Sequence, residues 1–259
     1  MATTPSPTVL VPEDLLRMME LVKQSDSVEL KLTVPASAYR PAAKALAIDP
    51  LTAQIRQVFF LDTPDLTLNQ AGVVVRARRI QGRDGDTTVK LRPIDPSEVS
   101  EIVRASSQFS VEVDAMPGGY VCSGSMKNVA KPAAVLASTR GERPLRKLFS
   151  KEQRAFYSAH APAGLAIDDL SVLGPILVLK LKIPPTGFSR RLVVEMWIYP
   201  DGSRVVELST KCLPGEGLAT AVEARQYLES LGIPVGGEQQ TKTKTALEFF
   251  AAELRDAPA

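Results

Sequence analysis

Three pairs of cations recur at a two-residue spacing: Arg76 and Arg78 in VVVRARR, Lys90 and Arg92 in TVKLR, and Lys180 and Lys182 in LVLKLKI. Carboxylates are set in the same kind of context. Glu29 stands two residues before Lys31 in SVELKL, Glu112 two before Asp114 in FSVEVDA, and Glu195 and Glu207 lie within RLVVEMWIY and RVVELST. Guanidinium forks and ammonium groups suit phosphate oxygens, and gathered carboxylates suit a hard cation such as Mg²⁺ or Mn²⁺. Brought to one place, these residue types would hold a polyanion partly through metal ions.

The spacing also says which elements must position them. Strand side chains alternate between two faces, so each stretch places its charges on one face and its aliphatic residues on the other. Val28, Leu30 and Leu32 oppose Glu29, Lys31 and Thr33, while Leu192, Val194, Met196 and Ile198 oppose Glu195 and Trp197. This reading predicts eight strands, at 27–34, 55–62, 73–80, 86–92, 108–115, 175–183, 191–199 and 203–210. GRDG joins the third to the fourth, and PDG joins the last two in a tight hairpin. Pro117, Gly118 and Gly119 break the fifth. Helices are predicted at 13–24, with Leu15, Leu16, Met19 and Val22 as its apolar stripe, and at 38–48, 66–71, 127–137, 143–149, 218–231 and 245–254. Ser150 and Gln153 have the spacing of a capping box for a further short helix through Tyr157.

Such a sheet buries its aliphatic face under helices, and the charged face then has two possible fates. It meets solvent on an open sheet, or it lines a wet lumen when eight antiparallel strands close into a barrel. Arg76, Arg78, Lys90 and Arg92 share a face of one hairpin, where like charges repel unless an anion or facing carboxylates neutralise them.

Composition narrows the function classes. The chain has 259 residues, enough for one sizeable core or two small domains. A net charge of +2 provides no global basic field for nucleic acid, so an anion site must be a local concentration of charge. Cys122 and Cys212 are isolated and have no metal-ligand spacing. His160 is the single histidine, which argues against a Ser-His-Asp arrangement or a multi-histidine metal site. No phosphate-binding GxxxxGK[ST] loop or dinucleotide fingerprint occurs. The opening MATTPSPTVLVPEDLL has no basic leader with a long apolar run, and no stretch is long enough to span a bilayer, so the expectation is a cytoplasmic protein without a membrane partner.

The order of these segments resembles the CYTH superfamily of triphosphate tunnel enzymes, which includes thiamine triphosphatases, inorganic triphosphatases and class IV adenylate cyclases. The most specific stretch is FFLDTPDLTLNQAGVVVRARR, similar to the family's second strand, Asp-Thr-Pro turn and Arg-x-Arg strand. TVKLRP resembles the next strand, SVELKL sits where an acidic signature opens the family's domain, and TKTKTALEFF is similar to its final helix. The resemblance implies an α+β fold, an eight-stranded antiparallel β-barrel with helices packed outside. It would span residues 27–254, with a tail and helix at 1–26 before it. It implies a small-molecule triphosphate or polyphosphate partner gripped by Lys31, Arg76, Arg78, Lys90, Arg92, Lys180 and Lys182. Glu29, Glu112, Asp114, Glu195 and Glu207 would hold Mg²⁺ or Mn²⁺, and Lys31 would orient or activate an attacking water as the catalytic residue. The activity implied is hydrolysis of a phosphoanhydride, or less typically adenylate cyclisation.

Three positions depart from the family's pattern. Ser27 replaces the first acid of the opening signature, Trp197 stands two residues after Glu195 where an acid is common, and neither Val205 nor Ser209 pairs a second carboxylate with Glu207. The phosphate-binding cations are nearly complete while the metal cradle is thinned, which keeps a non-catalytic polyphosphate- or nucleotide-binding module in view beside the hydrolase. A structural domain serving an unrelated partner is the third reading. Asp62 and Asp65 are read as fixing the turn around Pro64, and Trp197 as either a buried tunnel aromatic or a stacking surface for a ring.

Overall fold

The protein is described by a computed structural model covering residues 12–236 and 242–256; the expected tail at residues 1–8 lies outside the described residues. Nine strands among the described residues close into a barrel. They are β1 (Ser27–Val34), β2 (Gln54–Asp62), β3 (Val73–Ile80), β4 (Arg83–Leu91), β5 (Phe109–Met116), β6 (Gly119–Ala130), β7 (Ser171–Ile183), β8 (Leu192–Ile198) and β9 (Arg204–Cys212). Around the ring they run β1-β5-β6-β4-β3-β2-β7-β8-β9, and β9 pairs back with β1. The barrel thus departs from expectation twice: it has nine strands rather than eight, and it is not wholly antiparallel, because β1 and β5 run parallel.

The additional strand is β6. Its residues Cys122–Met126 are all buried, so no alternation marks it, and small residues interrupt its aliphatic run. Gly124 lets two side chains pack closely on the strand: a Cβ there would stand 2.8 Å from the Phe109 ring and 2.9 Å from the end of Ile94, and both would have to shift. Pro117–Gly119 therefore begin a hairpin instead of ending the sheet. Lys127, assigned in sequence to a helix, is still in β6, and the helix that follows is confined to Pro132–Thr139. The hairpin between β3 and β4 turns at Gln81 and Gly82, upstream of most of GRDG, with Gly82 at φ +73°. The β8–β9 hairpin turns at PDG as expected, with the Ser203 N–H donating to Asp201 Oδ1 at 2.9 Å.

Three apolar clusters among the described residues hold the barrel. One lies between the outer faces of β3, β4, β5 and β6 and the helix Lys151–His160, and includes Val75, Val89, Val111 and Phe156. Ser150 caps that helix through the box expected from the sequence. A second packs Leu32, Leu192, Val194 and Leu208 under the helix Tyr39–Ala45 and the helix Gly217–Ser230. The third joins Phe60, Val178 and Trp197 to Ala246, Leu247 and Phe250 of the C-terminal helix Lys242–Asp256. Of the stripe expected on the first helix, Pro12–Lys23, Val22 packs on the core while Leu16 and Met19 are exposed. The Leu15 side chain lies outside the described residues. The segment at 143–149 is a single 3-10 turn, Leu145–Leu148, where a helix was expected.

Gln153 ties the outer layer to the sheet. It is fully buried; its amide donates to the carbonyls of Thr87 and Met126 at 3.0 and 3.1 Å, and its oxygen accepts from Thr87 Oγ1 at 2.9 Å. The link clamps β4 to β6, the strand pair that carries Lys90 toward the lumen.

Candidate functional site

The charged parity of the strands points inward. The lumen holds a cavity of about 260 Å³, lined among the described residues by ten Lys and Arg side chains and four Glu side chains. Asp86 and Asp114 sit behind this lining in ion pairs with it. The cations therefore exceed the carboxylates by four.

Of the residues singled out in the sequence, Lys31, Arg76, Arg78, Lys90, Arg92 and Lys180 line the cavity, and so do Glu29, Glu112, Glu195 and Glu207. Asp114 is completely buried just behind them. Lys182 is the exception. It lies near the end of β7 opposite Val193, exposed and away from the cavity, because the barrel opens before its position is reached.

The parallel pairing of β1 and β5 sets Ser27 beside Glu112 and Glu29 beside Asp114. Ligand oxygens of Glu29, Glu112 and Asp114 consequently lie within 4.8 Å of one another. Lys31 Nζ stands 2.8 Å from Asp114 and 3.1 Å from Glu29, while Lys90 and Arg92 approach the other Asp114 oxygen at 3.5 and 3.6 Å. Glu112 pairs with Lys211 at the mouth of the lumen. Burial works against the charge on Lys31, but Glu29, Asp114 and Glu207 outweigh it and hold its pKa above the ordinary lysine value. A lysine fixed as ammonium can orient a water or grip an oxygen, but it does not accept a proton. Burial instead dominates at Lys90 and lowers it to about 8, against the opposing field of Asp114.

A second group lies across β7, β8 and β9. Lys180 is opposite Glu195, and Glu195 is opposite Glu207. Two carboxylates face to face on neighbouring strands repel unless a cation lies between them. Lys242, from the first turn of the C-terminal helix, supplies it: its ammonium donates to Glu195 and, at 2.7 Å, to Glu207. Lys180 takes the other Glu195 oxygen at 2.7 Å, and the Trp197 indole N–H donates to Glu195 at 3.3 Å. Burial opposes ionisation of Glu195, yet Lys242 and Lys180 hold it well below the usual carboxylate range. Trp197 is 3% exposed and stacked near Phe60, so it serves as a buried wall of the tunnel.

A third group is left short of anions. The Arg78 fork is bound by Asp86 through bonds of 2.7 to 3.1 Å. Arg76, two residues away, has no ion-pair partner within 4.0 Å among the described residues, and its Nε is buried without a hydrogen-bond acceptor. Thr88, directly opposite it on β4, has a buried hydroxyl likewise without a partner. Burial, reinforced by Arg78, lowers the Arg76 pKa to about 9, so it remains cationic at neutral pH. Arg56, also buried and cationic, points into this region with its guanidinium anchored on Gln54 at 2.7 and 3.1 Å.

The residues missed in sequence are thus Arg56, Lys127, Lys211 and Lys242. Arg56 carried a signal, since QIRQVFF gives it the parity of the lumenal face. Lys211 stands one residue past the expected end of its strand. Asp62 does the structural work expected of it, accepting from the N–H groups of Thr63, Leu68 and Asn69. His160 is exposed at the end of its helix, against Phe156.

Oxygen donors are what a small hard cation requires. The trio Glu29, Glu112 and Asp114 meets that requirement in donor type and spacing, although Lys31 pairs with Asp114 and Glu29 and Lys211 with Glu112, so a metal there would have to share these oxygens with the two ammonium groups. The Glu195–Glu207 pair does not, because its facing oxygens are already taken by Lys242 and Lys180.

No family model and no curated protein matches the chain. Solved structures do. A candidate adenylyl cyclase of Hippeastrum, described as having a dominant triphosphatase activity, superposes with a TM-score of 0.62 at 16% identity, over 85% of this chain and 95% of that one. A candidate adenylate cyclase of Bacillus halodurans superposes with a TM-score of 0.58 at 13% identity, over 85% of this chain and 97% of that one. At these identities the likenesses show the fold alone, a closed barrel with helices. No helix among the described residues is long and apolar enough to cross a membrane.

Proposed function

We propose that the lumen binds the triphosphate or polyphosphate chain of a small molecule and, with a divalent cation, hydrolyses one of its phosphoanhydride bonds. The observation that carries this reading is the Arg76–Thr88 position: two buried donors side by side without acceptors, in a cavity with four surplus cations. A buried guanidinium N–H without an acceptor is costly, and an anion that supplies several acceptor oxygens to the group relieves it. Lys90, Arg92 and Arg56 extend the cationic wall to either side, so a chain of linked phosphates fits better than a single anion.

Glu29, Glu112 and Asp114 would hold Mg²⁺ or Mn²⁺, which would neutralise charge developing on the phosphoryl oxygens. Lys31, held as ammonium beside them, would orient the attacking water or the terminal phosphate. Phosphoryl transfer is accelerated chiefly by positioning and electrostatics, which this lining supplies without a dedicated base.

A non-catalytic polyphosphate-binding module shares the same cation lining and is favoured by one observation, the occupation of Glu195 and Glu207 by Lys242. Calorimetric titration with tripolyphosphate, followed by phosphate-release assays with tripolyphosphate, thiamine triphosphate and ATP in Mg²⁺ or Mn²⁺, separates the readings. Binding with release supports the hydrolase, binding without release supports the module, and neither refutes both. Formation of cyclic AMP from ATP would redirect the assignment to a cyclase.

A further inference from the structure

We propose that the Lys242 ammonium is a built-in cation occupying the position between Glu195 and Glu207, so that this pair takes no divalent ion in the native chain. The register makes the pair a natural cation site: β8 and β9 set the two carboxylates directly opposite each other in a lumen where both are more than nine-tenths buried. Some cation must lie there, and the structure shows which. Lys242 Nζ contacts both side chains, at 2.7 Å in the case of Glu207, and lies 5.2 Å from the centre of the Trp197 ring. Lys180 holds the remaining Glu195 oxygen.

Lys242 is not a mobile surface lysine reaching in. It sits in the first turn of a helix whose Ala246, Leu247 and Phe250 are buried against Phe60, Val178 and Trp197, and the Tyr199 hydroxyl donates to its backbone carbonyl at 3.3 Å. The helix fixes where the ammonium goes, and the two glutamates keep its pKa above the ordinary value although burial opposes that. A lone pair that accepts an ammonium N–H is not available to a metal. An ion binding there would have to displace the Lys242 ammonium into a cavity already lined by surplus cations, an unfavourable exchange. The two carboxylates satisfy an ammonium by themselves, whereas a divalent ion held by the same pair would complete its shell with water. The second cation of the site is supplied by the chain itself.

The test is Mn²⁺ binding to the full chain, counted by electron paramagnetic resonance of the free ion. Lys242→Met removes the ammonium while keeping the side chain's length, and the variant should bind one Mn²⁺ more than the native protein. Adding Glu207→Gln to that variant should abolish the extra site. An unchanged count in folded Lys242→Met overturns the inference. Should that variant fail to fold, Glu207→Gln alone decides. Its Mn²⁺ count and affinity should match the native protein within about twofold, since a gap of that size is under half of the 1.4 kcal/mol that marks a tenfold change. A tenfold or greater loss of Mn²⁺ affinity would show that Glu207 is a ligand and overturn the inference. Tripolyphosphate titration of the same samples is read independently, so failure of the triphosphate reading and failure of the Lys242 reading are distinguishable.

Discussion

Replacing Arg76 with Met should weaken anion binding and stabilise the free protein at once. The two effects have one origin. In the free protein the Arg76 Nε is buried without an acceptor, and its nearest charged neighbour on the strand is Arg78, which is already paired with Asp86. Leaving such a group unsatisfied costs about 1–3 kcal/mol, and Met recovers a similar amount while filling much of the same volume. In a chain of this size each kcal/mol moves the melting temperature by about 2–4 °C, so Arg76→Met should melt several degrees higher. In the complex the balance reverses. A hydrogen bond to a charged partner contributes about 1.5–3 kcal/mol, so its loss should raise the tripolyphosphate Kd roughly 10- to 150-fold. Scanning calorimetry of the free protein and titration calorimetry with tripolyphosphate at one fixed ionic strength measure the two quantities. Lys182→Ala, at an exposed position off the cavity, should change neither by more than about 0.5 kcal/mol. A lower melting temperature with unchanged affinity for Arg76→Met would refute the reasoning, because Arg76 would then be a structural cation with a partner in the fold.

Gln153→Leu should destabilise the barrel by about 2–4 kcal/mol in urea unfolding, since Thr87 Oγ1 and the carbonyls of Thr87 and Met126 lose their buried partner. The loss should come without any specific effect on the cations at the far side of the wall. Asp86 supplies a pH dependence. Burial raises its carboxyl, but Arg78 outweighs that and the folded pKa lies below the ordinary 3.8. Its contribution to stability is therefore complete above the unfolded value and is lost as pH falls through the lower folded value. Asp86→Asn should reduce stability at neutral pH and flatten the acid limb of the stability curve; an acid limb identical to the native one would contradict the pairing with Arg78.

The parts of the site legible in the sequence are those written in period two. Arg76, Arg78, Lys90 and Arg92 belong to one hairpin, so their shared face follows from local alternation and needs no knowledge of the rest of the chain. What could not be read is pairing at a distance. The parallel contact of β1 with β5 joins segments about 85 residues apart, Ser27 to Glu112, and nothing local announces it. The carboxylate trio depends on that contact. Strand β6 was hidden because both faces of its middle, Cys122–Met126, are covered, which removes the alternation by which the other strands are recognised. Lys242 was hidden for a different reason. A lysine in TKTKTALEFF reads as the solvated start of a helix, and its burial is decided by where Ala246, Leu247 and Phe250 dock. Arg56 was the avoidable omission, since its parity with Val58 and Phe60 places it inside.

The charge pattern also separates the part of the lumen that is balanced within the fold from the part that the proposed ligand would complete. Buried ion pairs roughly break even against well-packed apolar residues, so a barrel selected for stability alone would fill its interior as small barrels do, with aliphatic side chains. This one instead keeps its aliphatic packing in the three clusters, two of them outside the sheet, and it balances only part of the interior charge. The balanced part is the β7–β8–β9 side, where Lys180, Glu195, Glu207 and Lys242 alternate in contact. The unbalanced part is the β2–β3–β4 side, where Arg56, Arg76 and Thr88 face the cavity with too few acceptors. A bound polyanion would complete that half and leave the other untouched. The carboxylate trio on β1 and β5 lies next to the unbalanced wall through Lys90 and Arg92, so a cation held there would meet the same anion from its flank. The asymmetry makes a directional demand: ligand affinity should respond to neutralising mutations on β3 and β4 far more than to paired, charge-conserving changes at Lys180 and Glu195.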